Sequence, residues 1–156
     1  MANSIPKLTN YVYLYKHHKD IFETLSQPIN IQKLPIIGES KIFKSSAERY
    51  GHVVIQLNLE TDENVKQPIG NYYSYEWLPE TLFQKENDII IPLENSFEKD
   101  IFNELKLFVT LLALLNENTR HLRFSVIGGS YRITEKPFFG PATVDALIKL
   151  FKALQD

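Results

Sequence analysis

A long apolar stripe in the third quarter of the chain constrains the fold more than any other feature of the sequence. Its apolar residues recur at intervals of three or four, at Phe97, Ile101, Leu105, Phe108, Leu112 and Leu115. That spacing predicts a helix, which Asn95 or Ser96 can cap, and Glu98 follows Asn95 at the spacing of a capping box. Additional apolar residues widen the second half of the stripe until it is apolar almost all round. We therefore expect a central helix that other elements cover on several sides.

Further helices are predicted on both sides of this stripe. Thr9 or Asn10 can cap a helix that runs to about Ser26, although the β-prone run 11–15 leaves a strand open as an alternative. A short helix is predicted over 40–50, with Ser40 as its cap and a glycine just past its end. A final helix begins near Pro141, a residue that is favourable in a first helical turn.

Strand patterns are shorter and lie between these helices. Residues 53–59 alternate apolar and polar side chains, which predicts a strand with one buried face. A short buried strand is predicted over 88–93, and Pro35 would confine any strand over 29–37 to the edge of a sheet. Two β-prone runs joined by Gly128-Gly129 predict a tight hairpin, because both central positions of such a turn need positive φ.

These elements predict an α+β protein. Helices and strands come in runs and do not alternate strictly, which favours a small, mostly antiparallel or mixed sheet. The sheet would carry a β-hairpin in the C-terminal half and pack against the long central helix and the N- and C-terminal helices. The chain has 156 residues and no linker-like segment, so we expect 1–156 to form a single domain.

Composition excludes several kinds of site and partner. The absence of cysteine removes disulfides, thiolate metal sites and a cysteine nucleophile. The formal charge of −2 argues against a dedicated nucleic-acid binder and thus against nucleic acid as the partner. No apolar run reaches the length of a membrane span and no signal peptide is evident, which together predict a cytoplasmic protein without a membrane partner. The sequence also gives no motif for a catalytic residue, a cofactor or a metal.

A modest cationic cluster is predicted near the hairpin. His121, Arg123 and Arg132 would share one face if the hairpin turns at Gly128-Gly129, and they would then form an anion-binding site. An alternative function follows, in which His52 joins these residues in a small enzyme or small-molecule binder with the tyrosine-rich segment as its lid. RNA binding through the hairpin arginines is a weaker option.

The near-neutral net charge conceals a strongly acidic centre. Residues 60–104 contain 11 acidic and 3 basic residues, for a net charge of −8, whereas the rest of the chain carries +6. The same window contains Tyr and Trp residues of the kind that dominate binding hot spots. The predicted partner-binding residues are Glu60, Asp62, Glu63, Tyr72, Tyr73, Tyr75, Glu76, Trp77 and Glu80. The alternative is that every second residue of this segment, Tyr73, Tyr75 and Trp77, points into the core and that the acidic residues only make the surface soluble.

In size, charge and aromatic content the chain resembles the small, cysteine-free, single-domain immunity proteins that neutralise bacterial nuclease toxins. The resemblance rests on general character and carries no motif. It implies a non-catalytic protein that occludes a basic partner, with aromatic anchors and carboxylates that steer association. The sequence thus favours a protein partner with a basic surface and leaves a homodimer open.

Overall fold

The described strands form one mixed sheet. The computed structural model describes residues 19–44, 49–60, 68–69, 72–78, 83–84, 95–116, 121–130 and 136–155. The strands are β1 (Ile36–Lys44), β2 (Arg49–Leu59), β3 (Pro68–Ile69), β4 (Tyr73–Trp77), β5 (Phe83–Gln84), β6 (Leu122–Ser130) and β7 (Lys136–Pro137). The main order is β1-β2-β6-β4-β3, with β5 beside β6 and β7 beside β2. Antiparallel pairs join β1 to β2, β2 to β6 and β3 to β4, whereas β4 and β5 run parallel to β6, and β7 runs parallel to β2.

The described part of the chain has three helices that pack against one another, and the two longer ones also contact the sheet. They are α1 (Lys19–Leu25), α2 (Asn95–Leu115) and α3 (Phe139–Leu154), and a 3₁₀ turn lies at Ile31–Lys33. The helix α3 contacts β1 and β2 as well as α1 and α2. This arrangement confirms the predicted α+β class, including the long helix, the mixed sheet and hairpin-paired strands. Within the described ranges, no helix is long and apolar enough to cross a membrane.

The core lies between the sheet and the helices because alternate strand residues point to the helical layer. Val53, Ile55 and Leu57 of β2 are fully buried there, as the alternation predicts. Residues of β6 with the same orientation, such as Phe124, meet Phe151 of α3 with ring centroids 6.4 Å apart. Burying side chains of this size supplies the dominant favourable term in folding.

The predicted short helix over 40–50 is wrong, since its described residues, 40–44 and 49–50, belong to β1 and β2. Residues 36–43 alternate between covered and exposed positions, with Gly38 and Ser40 buried. A Cβ at Gly38 would collide with the carbonyl oxygen of Ala146 and would lie 2.9 Å from Cβ of Leu150. The close approach of α3 therefore requires small residues on this face, and small residues hide the two-residue period in the sequence.

The predicted turn at Gly128-Gly129 is also misplaced. Both glycines lie inside β6, opposite Val54 and Val53 of β2. The register shifts between Val54 and Ile55, which leaves Ile127 as an extra residue in a β-bulge. Gly129 has a φ of 152°, in a region that other residues rarely adopt. The glycine pair thus serves a bulge within a strand and does not reverse the chain.

Two further predicted elements cannot be compared. The strand over 88–93 lies outside the described residues, as do the first ten positions of the predicted N-terminal helix. The remaining part of that helix is present as α1, and the final helix begins two residues before Pro141.

Candidate functional site at the end of β4

The tyrosine-rich segment, residues 72–77, which we call the aromatic segment, forms β4 over Tyr73–Trp77. It lies between β6 and β3, with Tyr73 opposite Leu122 and Tyr75 opposite Phe124. Tyr73 and Tyr75 are 5% and 1% exposed, so the prediction that they anchor a partner at the surface is wrong. The physical reason is the two-residue period of a strand, which sends 73 and 75 into the core together.

Tyr75 connects the sheet to the helical layer. Its hydroxyl donates a hydrogen bond of 3.0 Å to Oε2 of Glu98, and its ring packs edge-on against Phe102 with centroids 5.0 Å apart. Burial raises the pKa of Tyr75, and the charge and hydrogen bond of Glu98 add to the effect. Tyr75 is therefore a neutral donor that satisfies a carboxylate in the first turn of α2.

The end of β4 keeps part of the predicted surface accessible. We call Glu76, Trp77 and Leu78 the β4-end patch; Glu76 and Trp77 are half-buried, and Leu78 is 41% exposed. Trp77 lies on the same side of the strand as Tyr73 and Tyr75 and packs partly against the core, whereas Glu76 lies on the opposite face, so the patch spans the end of the strand. Ser125 donates a hydrogen bond of 3.1 Å to Oε1 of Glu76, and the Leu78 amide donates to the Val126 carbonyl at 2.9 Å. Both bonds tie the patch to β6, so its backbone and its carboxylate are held in place. Tyr72, at the other end of β4, is also half-buried.

Glu60 is part of a polar cluster on the sheet face that points away from the core. Ser74 donates a hydrogen bond of 2.6 Å to its Oε2, and Nη1 of Arg123 lies 3.7 Å from its Oε1. The Glu60 side chain is 9% exposed. The prediction of an exposed acid at this position is therefore wrong, because the carboxylate is covered and paired.

The predicted anion site is not assembled among the described residues. Arg123 faces Asn58 on one side and Ser74 on the other, and its charge is directed to Glu60. His121 is exposed with a φ of 70°, and its backbone bonds to Glu60 and Tyr72. The diagonal pairing depended on a turn at Gly128-Gly129 that does not exist. Four predicted site residues, Asp62, Glu63, Glu80 and Arg132, lie outside the described residues.

A hydrogen-bonded chain that the sequence analysis missed crosses the other end of the same face. His52 places Nδ1 2.9 Å from Oγ of Ser130 and Nε2 2.6 Å from Oε2 of Glu39. The Ser130 hydroxyl also lies 2.8 Å from the hydroxyl of Tyr50. His52 and Ser130 are direct partners in the β2–β6 register, so the correct strand pairing was the signal needed to find them.

A cavity of about 340 Å³ lies in the helical layer. Its walls come from all three helices and include Phe108, Ile148 and the carboxylates Glu104 and Asp145. Burial raises the pKa of Glu104, and Asp100 adds to the shift. His52, His121 and Arg123, the described residues among those predicted for an enzymatic site, do not line this cavity. The cavity is therefore not the concave site that the alternative function needs.

Comparison with known proteins yields little at this level of similarity. Within the described part of the chain, no group of three or more His, Asp or Glu side chains is arranged to hold a metal ion. No family model and no curated protein matches the sequence. A crystal structure of a protein from Thermus thermophilus is similar over 77% of this chain, with 15% identity and a TM-score of 0.40. The chain spans 15% of that protein's length, and the likeness carries no inference about function.

Proposed function

We propose that the protein is a non-catalytic, protein-binding domain that contacts its partner through the β4-end patch. The observation that supports this proposal is the combination of a half-buried Trp77, an exposed Leu78 and a carboxylate held by Ser125. Tryptophan is enriched at binding hot spots because a large, stiff side chain loses little entropy when it is covered. A patch fixed before binding avoids much of the ordering cost of association.

The charge of the surrounding sequence indicates the chemistry of the partner. The window 60–104, which contains the patch, has a net charge of −8. A field of this sign accelerates encounter with a basic surface and discourages acidic partners. We therefore propose a partner with a basic surface. In the specific form that the resemblance implies, the chain is a cytoplasmic immunity protein that occludes a nuclease-like bacterial toxin.

Co-expression tests the specific form of the proposal. Each protein encoded beside this gene would be produced in bacteria with and without the chain, and growth and co-purification would be measured. We expect one neighbour to be toxic alone and harmless in complex with the chain. The variants Trp77→Ala and Leu78→Ala should lose protection, whereas Leu114→Ala, at a leucine 53% exposed on α2, should retain it. Protection by all three variants would contradict a role for the patch.

The proposed electrostatic attraction of the partner by the acidic window can be tested separately. Charge reversal at Asp62 and Glu63 makes the acidic window less negative by four units of charge. The change should slow association with the basic partner, with less effect at high salt. An unchanged association rate would show that this part of the window does not steer the partner.

A second candidate function is acyl transfer or ester hydrolysis by Ser130. The supporting observation is the chain from Ser130 through His52 to Glu39, which joins a nucleophile, a base and an orienting acid. In such a step the Ser130 oxygen would attack a carbonyl carbon while its proton passed to Nδ1 of His52. The leaving group would then receive that proton. Either ring nitrogen can act as the base when the other is held by a carboxylate.

A serine-directed fluorophosphonate probe separates the two candidates. Covalent labelling that is lost in Ser130→Ala and in His52→Gln, but kept in Ser125→Ala, would support the enzymatic candidate. If the wild-type protein is not labelled, the enzymatic candidate is wrong, and the hydrogen bonds of His52 only link β1, β2 and β6.

A further inference from the structure

The strand β1 lies at an edge of the sheet and presents a regular row of exposed side chains. Among the described strands, it pairs with β2 alone. From 36 to 43 its even-numbered positions are covered by the helical layer, and its odd-numbered positions are exposed. The four exposed side chains of the row are Ile37, Glu39, Lys41 and Phe43. Ile37 is 54% and Phe43 49% exposed, which is unusual for large apolar residues on an edge strand.

The backbone groups of the same residues point to the edge of β1 at which no described strand pairs. The carbonyl of Tyr50 accepts a hydrogen bond from Phe138, and the amide of Glu60 donates to His121. Even-numbered residues of β2 therefore bond away from β1. The odd-numbered residues of β1 lie opposite these even-numbered residues of β2. Their amide and carbonyl groups must therefore also point away from the β1–β2 pair. Consistently, Nζ of Lys149 reaches the carbonyl of Glu39 at 3.5 Å.

The exposed row of β1 is complementary to the same row of a second copy that runs in the opposite direction. A two-fold axis through Ser40 places Glu39 opposite Lys41 of a second copy, and Ile37 opposite Phe43. Glu39 and Lys41 then exchange backbone hydrogen bonds, because their amides and carbonyls point to the edge. At the Glu39 carbonyl, the Lys41 amide of the second copy takes the place of Nζ of Lys149. The register thus pairs opposite charges at the centre and apolar side chains at both ends, which are the cross-strand pairs that stabilise antiparallel sheets.

We propose that β1 pairs antiparallel with β1 of a second copy and so joins the two mixed sheets into one continuous sheet. A two-fold interface of this kind is closed, since each copy contributes the same edge and both edges are then covered. The β4-end patch lies beyond β6, toward the opposite edge of the sheet, so it stays outside the dimer interface. The proposal is therefore independent of the protein-binding function and can fail without it.

Charge swaps test both the dimer and its register. The variant Glu39→Lys places lysine opposite lysine, and Lys41→Glu places glutamate opposite glutamate, at both central pairs of the interface. Each variant alone should raise the dimer dissociation constant about tenfold, which is the scale expected from two like-charge pairs. An equimolar mixture of the two variants restores opposite charges at both pairs. At a protein concentration near the wild-type dissociation constant, sedimentation velocity should show a similar dimer fraction for the wild type and the mixture, and a clearly lower one for each variant alone.

Two outcomes would overturn the proposal. One is a wild-type chain that stays monomeric at about 100 µM. The other is a dimer that both single variants form as well as the wild type, which would place the interface elsewhere. Glu39 also bonds to His52, so circular dichroism should show that each variant is folded. Phe43→Ser, which leaves that bond intact, provides a second test and should weaken the dimer by removing the contact with Ile37 of the second copy.

Discussion

The hydroxyl of Tyr75 lies 3.0 Å from Oε2 of Glu98 and fixes β4 to the first turn of α2. The sequence pattern predicts that Tyr75 anchors a partner at the surface. In the structure it is a core residue whose hydroxyl makes a buried polar contact. The consequence for function is specific, because the middle of the aromatic segment is buried and only its two ends keep partial exposure. Glu76, Trp77 and Leu78 carry the proposed contact, whereas Tyr73 and Tyr75 belong to the core.

Removal of the Tyr75 hydroxyl measures this contact. Tyr75→Phe keeps the ring against Phe102 but leaves Glu98 without its donor, so it should lower the free energy of unfolding by about 1 kcal/mol. Tyr75→Ala also empties a fully buried site and should cost about 3–5 kcal/mol. Urea denaturation of the two variants gives both values. Equal losses would show that the ring contributes nothing beyond its hydroxyl.

Substitution of Gly38 tests the close packing of α3 on β1. Gly38→Ala forces a methyl group against the backbone of Ala146 and should destabilise the fold by about 1–3 kcal/mol. Gly140→Ala is the matched control, since the atoms nearest to its Cβ would be those of the flexible Glu104 side chain, the first at 3.4 Å. In a helix, alanine is favoured over glycine by about 0.5–1 kcal/mol, so the control should be neutral or stabilising. Thermal melts distinguish the two, and a stable Gly38→Ala would contradict the packing described.

A double-mutant cycle measures the pairing of Glu60 with Arg123. Glu60→Gln retains the hydrogen bond from Ser74 but removes the charge, and Arg123→Met retains much of the side-chain packing. Because the pair is largely covered, we expect a coupling energy of about 0.5–2 kcal/mol from the four free energies of unfolding. Strictly additive effects would mean that the two charges do not interact.

The two carboxylates of the cavity should respond to pH in opposite directions. Burial raises the pKa of Glu104, so the folded state binds more protons than the unfolded state and ionisation lowers stability as pH rises. Glu104→Gln should therefore raise Tm at neutral pH, with a gain that shrinks as the pH falls toward about 4.3, the ordinary pKa of glutamate. A constant gain across this range would argue against a raised pKa.

Asp145 provides the contrasting case. Burial opposes its ionisation, but hydrogen bonds from Ser40 and Lys149 prevail and lower its pKa. The stability it contributes is present above the ordinary pKa of aspartate and is lost as the pH falls through the lowered value. Asp145→Asn should therefore lower Tm at neutral pH, with a loss that disappears in acid. A pH-independent loss would point to packing alone.

The sequence predicted most elements with a strong period and missed those whose period is masked by small residues. The stripe of α2 and the alternation of β2 are present as expected. By contrast, Gly38 and Ser40 hide the alternation of β1, and Gly128-Gly129 serves a bulge where a turn was expected.

Site residues were harder to place because their contacts depend on strand register. His52 meets Ser130, and Glu60 meets Arg123, across strands that local patterns do not pair. The sequence marked three of these four residues as noteworthy, but their partners follow only from the order β1-β2-β6-β4.

Trp77 fluorescence tests the central claim most directly, since it is the only tryptophan in the chain. A tryptophan-free version of the partner identified by co-expression would be titrated into the wild type and into the control Leu114→Ala. If the β4-end patch is the binding surface, the emission of Trp77 should shift and saturate with the same dissociation constant that calorimetry gives, in both proteins. Binding that calorimetry detects while Trp77 emission stays unchanged would contradict the account.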